Sequence, residues 1–153
     1  MSQPNEIFFG IKEIKETSFS VDENTDMQPG SGYQCKYFVN IRSVIPEETV
    51  TITIESHFKD RENGITFMQG KSFTRFLIQN MKKYARVLKD GSEAVDLPDP
   101  VWTTLFSLSY SHARALLARS TAGTKYSSII LPLINPDEEF KKIFAKELAR
   151  EAH

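Results

Sequence analysis

The chain predicts an α+β fold in which a four-stranded antiparallel sheet is followed by two helices. Three observations lead there. Apolar and polar residues alternate with a period of two through much of residues 7–78. Turn chemistry at Pro46-Glu47-Glu48 and Asn63-Gly64 punctuates that alternation. Two proline-started segments with helical spacing, from Pro100 and from Pro136, occupy the last third.

The strands are read in chain order. Ile7, Phe9 and Ile11 share one alternation, and Phe19 and Val21 resume it beyond the polar Glu13–Ser18. Residues 22–32 are expected to form an exposed loop. Cys35, Tyr37, Val39, Ile41 and Ile45 define one face of the second strand, opposite Lys36, Asn40 and Arg42. In the third, Val50, Ile52, Ile54 and Phe58 alternate with Thr49, Thr51, Thr53, Glu55, His57 and Lys59. The fourth runs from Ile65 to about Ile78; its phase changes between Phe67 and Phe76, which predicts a bulge at Gly70. Met81, Tyr84, Val87 and Leu88 have the spacing of a short helix.

The first long helix is expected over residues 100–121, capped by Asp99 and ended before Gly123. Trp102, Leu105, Phe106, Leu108, His112, Ala113, Leu116 and Leu117 spread over about half its circumference at about 100° per residue. A sheet occupies a stripe only about 100° wide, so the remaining arc calls for a further partner, most economically a second copy. The interface residues assigned on that ground are Leu105, Leu108, His112, Ala115 and Leu116. After an extended segment at 127–135, Asn135 caps the last helix, Pro136 fits its first turn and Glu138 stands in a capping-box position. Phe140, Ile143, Phe144 and Leu148 form its apolar stripe.

Composition bounds the function. Forty per cent hydrophobic and 25% charged residues are ordinary globular values, and a net charge of −1 argues against nucleic acid as a partner. The single Cys35 leaves no internal disulfide and no clustered cysteine zinc site. The start of the sequence lacks the basic and apolar pattern of a secretion signal, and no apolar run reaches the roughly 18 residues of a membrane span. A cytoplasmic protein without membrane insertion is the expectation.

No catalytic arrangement emerges. Ser111 and His112 are adjacent on a helix, so their side chains diverge by about 100°. His57 beside Glu55 resembles half of a metal pair, but a third ligand is missing and a solvated strand face accounts for both. Lys82, Lys83, Arg86 and Lys89 lack interleaved stacking aromatics, which makes them a solvated edge. Neither a phosphate-binding loop nor a dinucleotide fingerprint occurs, and no cofactor is expected.

The order of these pieces resembles the SecB family of export chaperones. Ala113-Arg114 within the first helix, Gly123 after it, and Leu131-Pro132-Leu133-Ile134-Asn135 leading through Asp137 to Phe140 carry the likeness. Glu16-Thr17-Ser18-Phe19 looks like the family's first-strand motif, and residues 49–79 look like its central hairpin. The resemblance spans about residues 11–144. It implies a four-stranded antiparallel sheet with two helices on one side, and a dimer of dimers with the first helix at the interface. It further implies an ATP-independent holdase that takes unfolded polypeptide clients into apolar grooves. Under that reading Phe67, Phe76, Trp102, Phe140, Ile143 and Phe144 are the candidate client contacts, although Phe67, Phe76 and Trp102 suit a core better, and core packing accounts for Phe140, Ile143 and Phe144 at least as well.

The chain departs from the exporting members in charge. They are acidic and present carboxylates on the sheet surface to the export motor SecA. Here the matching region reads Met68-Gln69-Gly70-Lys71, with Glu16 as an acidic residue at a matching position. Relatives of this kind also serve toxin–antitoxin systems. The competing expectation is an adaptor with one folded partner.

Overall fold

The arrangement of the strands follows from their turns. In the computed structural model, which describes residues 7–23 and 32–151 with side chains to residue 143, β1 (Phe9–Val21), β2 (Tyr33–Val44), β3 (Thr49–Asp60) and β4 (Thr66–Ile78) form one antiparallel sheet. Its spatial order is β1-β4-β3-β2. The β2–β3 hairpin pairs without a slip from Tyr33↔Asp60 to Val44↔Thr49. A single 3₁₀ turn, Ile45–Glu47, closes it. Pro46 presets that turn, and Glu48 leaves it in the left-handed region at φ +55°. The β3–β4 turn uses the positive φ of Gly64, while the Asn63 carboxamide oxygen accepts the Ile65 N–H at 2.9 Å.

β3, one of the two inner strands, buries the face that its alternation predicts, with Val50, Ile52, Ile54 and Phe58 in the core. In β4 the bulge lies elsewhere than predicted. Phe58 pairs with Met68 and Lys59 with Thr66, which leaves Phe67 as the extra residue. Both Phe67 and Met68 are therefore buried, and the phase has changed before Gly70 is reached. Gly70 instead pairs regularly with Ser56 and Phe19. It serves a close approach: a Cβ there would stand 3.0 Å from Leu117 Cδ1 and 3.4 Å from Ser56 Oγ.

β1 is continuous through the polar Glu13–Ser18. Two register shifts, between Ile11 and Glu13 and between Glu16 and Ser18, each add an unpaired residue, Lys12 and Thr17. Their effect is to bring Phe9, Ile11, Ile14, Glu16, Phe19 and Val21 onto one face, opposite Ile78, Phe76, Thr74, Ser72, Gly70 and Met68. Most of the expected loop at 22–32 lies outside the described residues.

The short helix expected after β4 is absent. A 3₁₀ turn, Met81–Tyr84, buries Met81, and a small hairpin follows, made of β5 (Ala85–Val87) and β6 (Glu93–Val95). Its turn relies on Gly91 at φ +86° and on the Asp90 carboxylate, which accepts the Ser92 N–H at 2.9 Å. Three residues per arm are too few to show strand periodicity, and Val87 is exposed to solvent.

Helix α1 (Asp99–Thr121) starts one residue earlier than predicted, and the Pro98 carbonyl accepts the N–H groups of Val101 and Trp102. Its buried stripe is Trp102, Leu105, Phe106, Ser109, Tyr110, Ala113, Leu117 and Thr121, seated on β3 and β4. Each large side chain in that stripe contributes about 1.5–3 kcal/mol of apolar burial. α1 also holds the following segment in place: Tyr110 donates its hydroxyl to the Pro132 carbonyl at 2.7 Å, and Arg114 Nε donates to the Leu131 carbonyl at 3.0 Å. Helix α2 (Pro136–Glu151) is capped as predicted, its Asn135 oxygen accepting the N–H groups of Asp137 and Glu138. α2 packs on α1, and its Glu139 accepts the hydroxyl of Tyr37 from the same face of the sheet. Both helices thus lie on one side.

Replacing Gly70 with Val is expected to destabilise the chain by about 1–3 kcal/mol through overpacking. Combining Gly70→Val with Leu117→Ala should recover part of that loss. Denaturant midpoints of the two variants measure it, and an undiminished midpoint for Gly70→Val would refute the close approach.

Candidate functional site

The structure sorts the predicted site residues by exposure. Phe67, Phe76, Trp102 and Phe140 are core residues, none more than 7% exposed, and so offer a client almost no surface in this conformation. Ile143 on α2 is half-buried against the core, and Phe144 lies outside the described side chains. Among the predicted interface residues, Leu105 is fully buried beneath α1 against the chain's own sheet. Leu108, His112 and Leu116 are half-buried, and Ala115 is exposed. The wide apolar arc therefore divides. Its larger share meets the sheet, Leu108 packs partly against the core, and Ala115 remains outward.

The two flanks of α1 differ in chemistry. Toward β1, the His112 ring shares a hydrogen bond of 2.9 Å with Thr74 Oγ1, and Ser120 donates its hydroxyl to Glu16 at 2.5 Å. Toward β2 the contacts are aromatic, with Tyr37 and Tyr110 edge to face at a centroid distance of 5.4 Å. Burial pushes both tyrosine hydroxyls well above their ordinary range, and the Glu139 carboxylate raises Tyr37 further. Burial also pushes the Cys35 thiol up to about 11, which keeps it protonated and unreactive near neutrality. Ser111 is exposed while His112 is turned onto Thr74, so the two do not assemble a nucleophile and base. His57 and Glu55 pair at 3.0 Å, and among the described residues no group of three His, Cys, Asp or Glu gathers to hold a metal.

Beyond α1 on either side, apolar surface stays open. Phe9, Ile11 and Ile14 lie on the inward face of β1, yet they are 36%, 46% and 42% exposed, while their partners Ile78, Phe76 and Thr74 in β4 are almost fully buried. α1 does not extend over them. β1 is also an edge strand, so among the described residues its outer row of backbone N–H and C=O groups has no neighbouring strand. Near its start, Phe8, Phe9, Pro46 and Leu77 line a groove of about 540 Å³. On the opposite margin, Tyr37, Val39 and Ile41 of β2 are half-buried. The connecting segment there points Ile130 and Leu133 outward, Leu133 at 83% exposure.

The sequence contained part of this signal. The alternation of Phe9 and Ile11 marks an inward face, but Ile14 falls out of phase with them until the bulge at Lys12 is known. Nothing in the local pattern of Leu133 separates it from the buried Leu131.

No protein-family model matches the sequence, and no curated protein matches it. Among solved structures it is similar to a SecB-like chaperone of Mycobacterium tuberculosis in complex with a ChAD peptide from an antitoxin. The likeness covers 83% of this chain and 90% of that one, with a TM-score of 0.56 at 12% sequence identity. At that identity it shows the fold, which is SecB-like. No helix among the described residues is long and apolar enough to cross a membrane.

Burial holds the His112 ring below its ordinary pKa, so the folded chain takes up this proton less readily than the unfolded chain. The neutral ring's contribution is intact above the ordinary histidine value of about 6.5 and is lost as the pH falls below it. The melting temperature is expected to drop more steeply between about pH 7.5 and about pH 5.5 in the natural chain than in His112→Gln. Parallel pH profiles would contradict this.

Proposed function

We propose that this protein is a cytoplasmic, ATP-independent holdase of the SecB-like kind, acting as a dimer or a dimer of dimers on unfolded or partly folded polypeptides. The observation that carries the reading is the apolar surface left open on both sides of α1 within a SecB-like fold. Covering one such half-exposed side chain is worth about 1 kcal/mol. A row of them therefore binds weakly per contact, and several copies supply avidity. Apolar burial is also non-directional, which suits clients of unrelated sequence.

The two margins suit different tasks. β1 offers an open backbone edge beside Phe9, Ile11 and Ile14, so an identical strand can continue the sheet and bury both apolar rows together. Ala115 on the outward side of α1, with the half-buried Leu108 and Leu116 near it, adds to the same contact between copies. The β2 margin offers Leu133 and Ile130 on the connecting segment, with Ile143 on α2 and the half-buried Val39 and Ile41, as a groove for a client. The proposal assigns no catalytic step and no cofactor.

A dedicated client such as an antitoxin fits this reading better than general export. The structural neighbour was solved with an antitoxin peptide. Moreover Glu16, the acidic residue matching the family's motif, lies on the helix side and accepts the Ser120 hydroxyl, so it is not displayed to an export motor.

Two measurements test the proposal. Light scattering with mass determination should give an oligomer that Ile11→Asp with Ile14→Asp shifts toward a single copy; a compact single-copy natural chain would refute self-association. The natural protein should delay aggregation of several unrelated denatured proteins. Leu133→Asp with Ile143→Asp should weaken that holding about tenfold, equivalent to about 1.4 kcal/mol of lost contact. Suppression of none of the test proteins would favour the one-partner adaptor instead.

A further inference from the structure

The sheet face turned away from the helices carries a charge that the near-neutral total of −1 conceals. The strand register aligns its side chains in rows. Glu13, with Lys12 beside it in the bulge, stands opposite Arg75; Arg75 opposes Thr51, and Thr51 opposes Arg42, so one row crosses all four strands. In the next row Lys15, Phe73, Thr53 and Asn40 are aligned in the same way. Lys12, Arg42, Arg75, Thr51, Thr53 and Phe73 line a groove of about 650 Å³, and the turn residue Glu47 lines it too. Farther along the same face stand Lys71, Lys36 and Lys59.

Carboxylates do not balance these cations. The strands place two on this face, and each is already engaged: Glu13 with Arg75 at 2.8 Å, and Glu55 with His57 at 3.0 Å. Lys12, Lys15 and Arg42 are exposed and have no ion-pair partner among the described residues. Like charges gathered on one face repel one another, and a polyanion relieves that repulsion.

Of the polyanions, an acidic polypeptide fits better than a nucleic acid. A single strand of nucleic acid needs open aromatic faces on which bases stack. Here the groove's own ring, Phe73, is covered by the Arg75 guanidinium at 4.9 Å, while Phe38, 56% exposed and T-shaped to His57 at 5.5 Å, is outside the groove lining. Along β4, Arg75, Phe73 and Lys71 follow one another at alternate positions. Their spacing of about 6.8 Å is also that of same-face side chains in an extended peptide. The Arg42 guanidinium and the Thr53 and Asn40 side chains supply further hydrogen-bond donors for carboxylates.

We propose that this face docks an extended acidic polypeptide segment, with carboxylates at alternate positions over the groove between Lys12 and Arg42. The site is separate from the helix-side margins, and the inference does not depend on what those margins bind.

The test is fluorescence anisotropy of the full chain with a labelled peptide of about ten residues alternating Glu and Val. A Lys–Val counterpart and an oligothymidylate of equal charge serve as controls. The Glu peptide should bind at about 50 mM salt and weaken markedly by about 300 mM. Arg42→Glu with Lys71→Glu, both away from the β1 edge, should lower its affinity at least about tenfold while circular dichroism, oligomeric mass and aggregation suppression stay unchanged. If that double variant fails to fold, Lys12→Gln and Arg42→Gln singly should each weaken binding by about threefold. The proposal is overturned if the Glu peptide does not bind, if both peptides bind equally, if the charge variants leave affinity unchanged, or if the oligothymidylate binds more tightly.

Discussion

The packing of α1 across β3 and β4 is the constraint from which the rest of the molecule follows. Its buried stripe, from Trp102 to Thr121, meets Val50, Ile52, Phe58, Phe67 and Phe76 in one core. The close approach at Gly70 beneath Leu117 sets how near the helix lies to the sheet. A single helix of ordinary diameter, about 10–12 Å, spans about two strands at their spacing of about 4.8 Å. A four-stranded sheet is wider than that. α1 therefore buries the inner strands and leaves the inward faces of β1 and β2 only partly covered, and α2 reaches β2 through Glu139 and Tyr37. The open apolar margins are a geometric consequence of placing two helices on four strands in this way.

The bulges decide which side chains occupy those margins. Without the bulges at Lys12 and Thr17, a regular pleat would keep Phe19 and Val21 on the face of Phe9 and Ile11 but turn Ile14 and Glu16 to the other, and β1 could not present one apolar row along its length. The bulge at Phe67 acts in the same way for the core: it buries two successive side chains where a regular strand would bury one. Tyr126 fills the space beside it, its ring tilted 39° against Phe67 at 4.8 Å and its hydroxyl donated to the Asp22 carbonyl. A strand end, a bulge and the segment after α1 are thereby tied together.

The two faces of the sheet have opposite characters. The helix side is apolar and polar groups there are hydrogen-bonded within the chain, as with His112 on Thr74 and Ser120 on Glu16. The other side is threonine-rich and cationic, its two carboxylates already paired. A net charge near zero thus results from segregation. Acidic residues collect instead in turns and at the start of α2, where Asp137, Glu138 and Glu139 complement the positive end of the helix dipole.

Patterns that act over a few residues were legible in the chain. The alternation of β2 and β3, the turns at Pro46 and Asn63-Gly64, the length of α1 and the Asn135 cap of α2 all depend on neighbours within about four positions. So did the fold class, because the order of those elements leaves few ways to cover one sheet. The bulge positions, the β5–β6 hairpin and the division of the α1 arc were not legible, since each depends on which distant strand or helix lies opposite. Phe67 and Phe9 show the difference. Both are phenylalanines in alternating strands, and only the course of α1 over the sheet makes the first core and the second open surface.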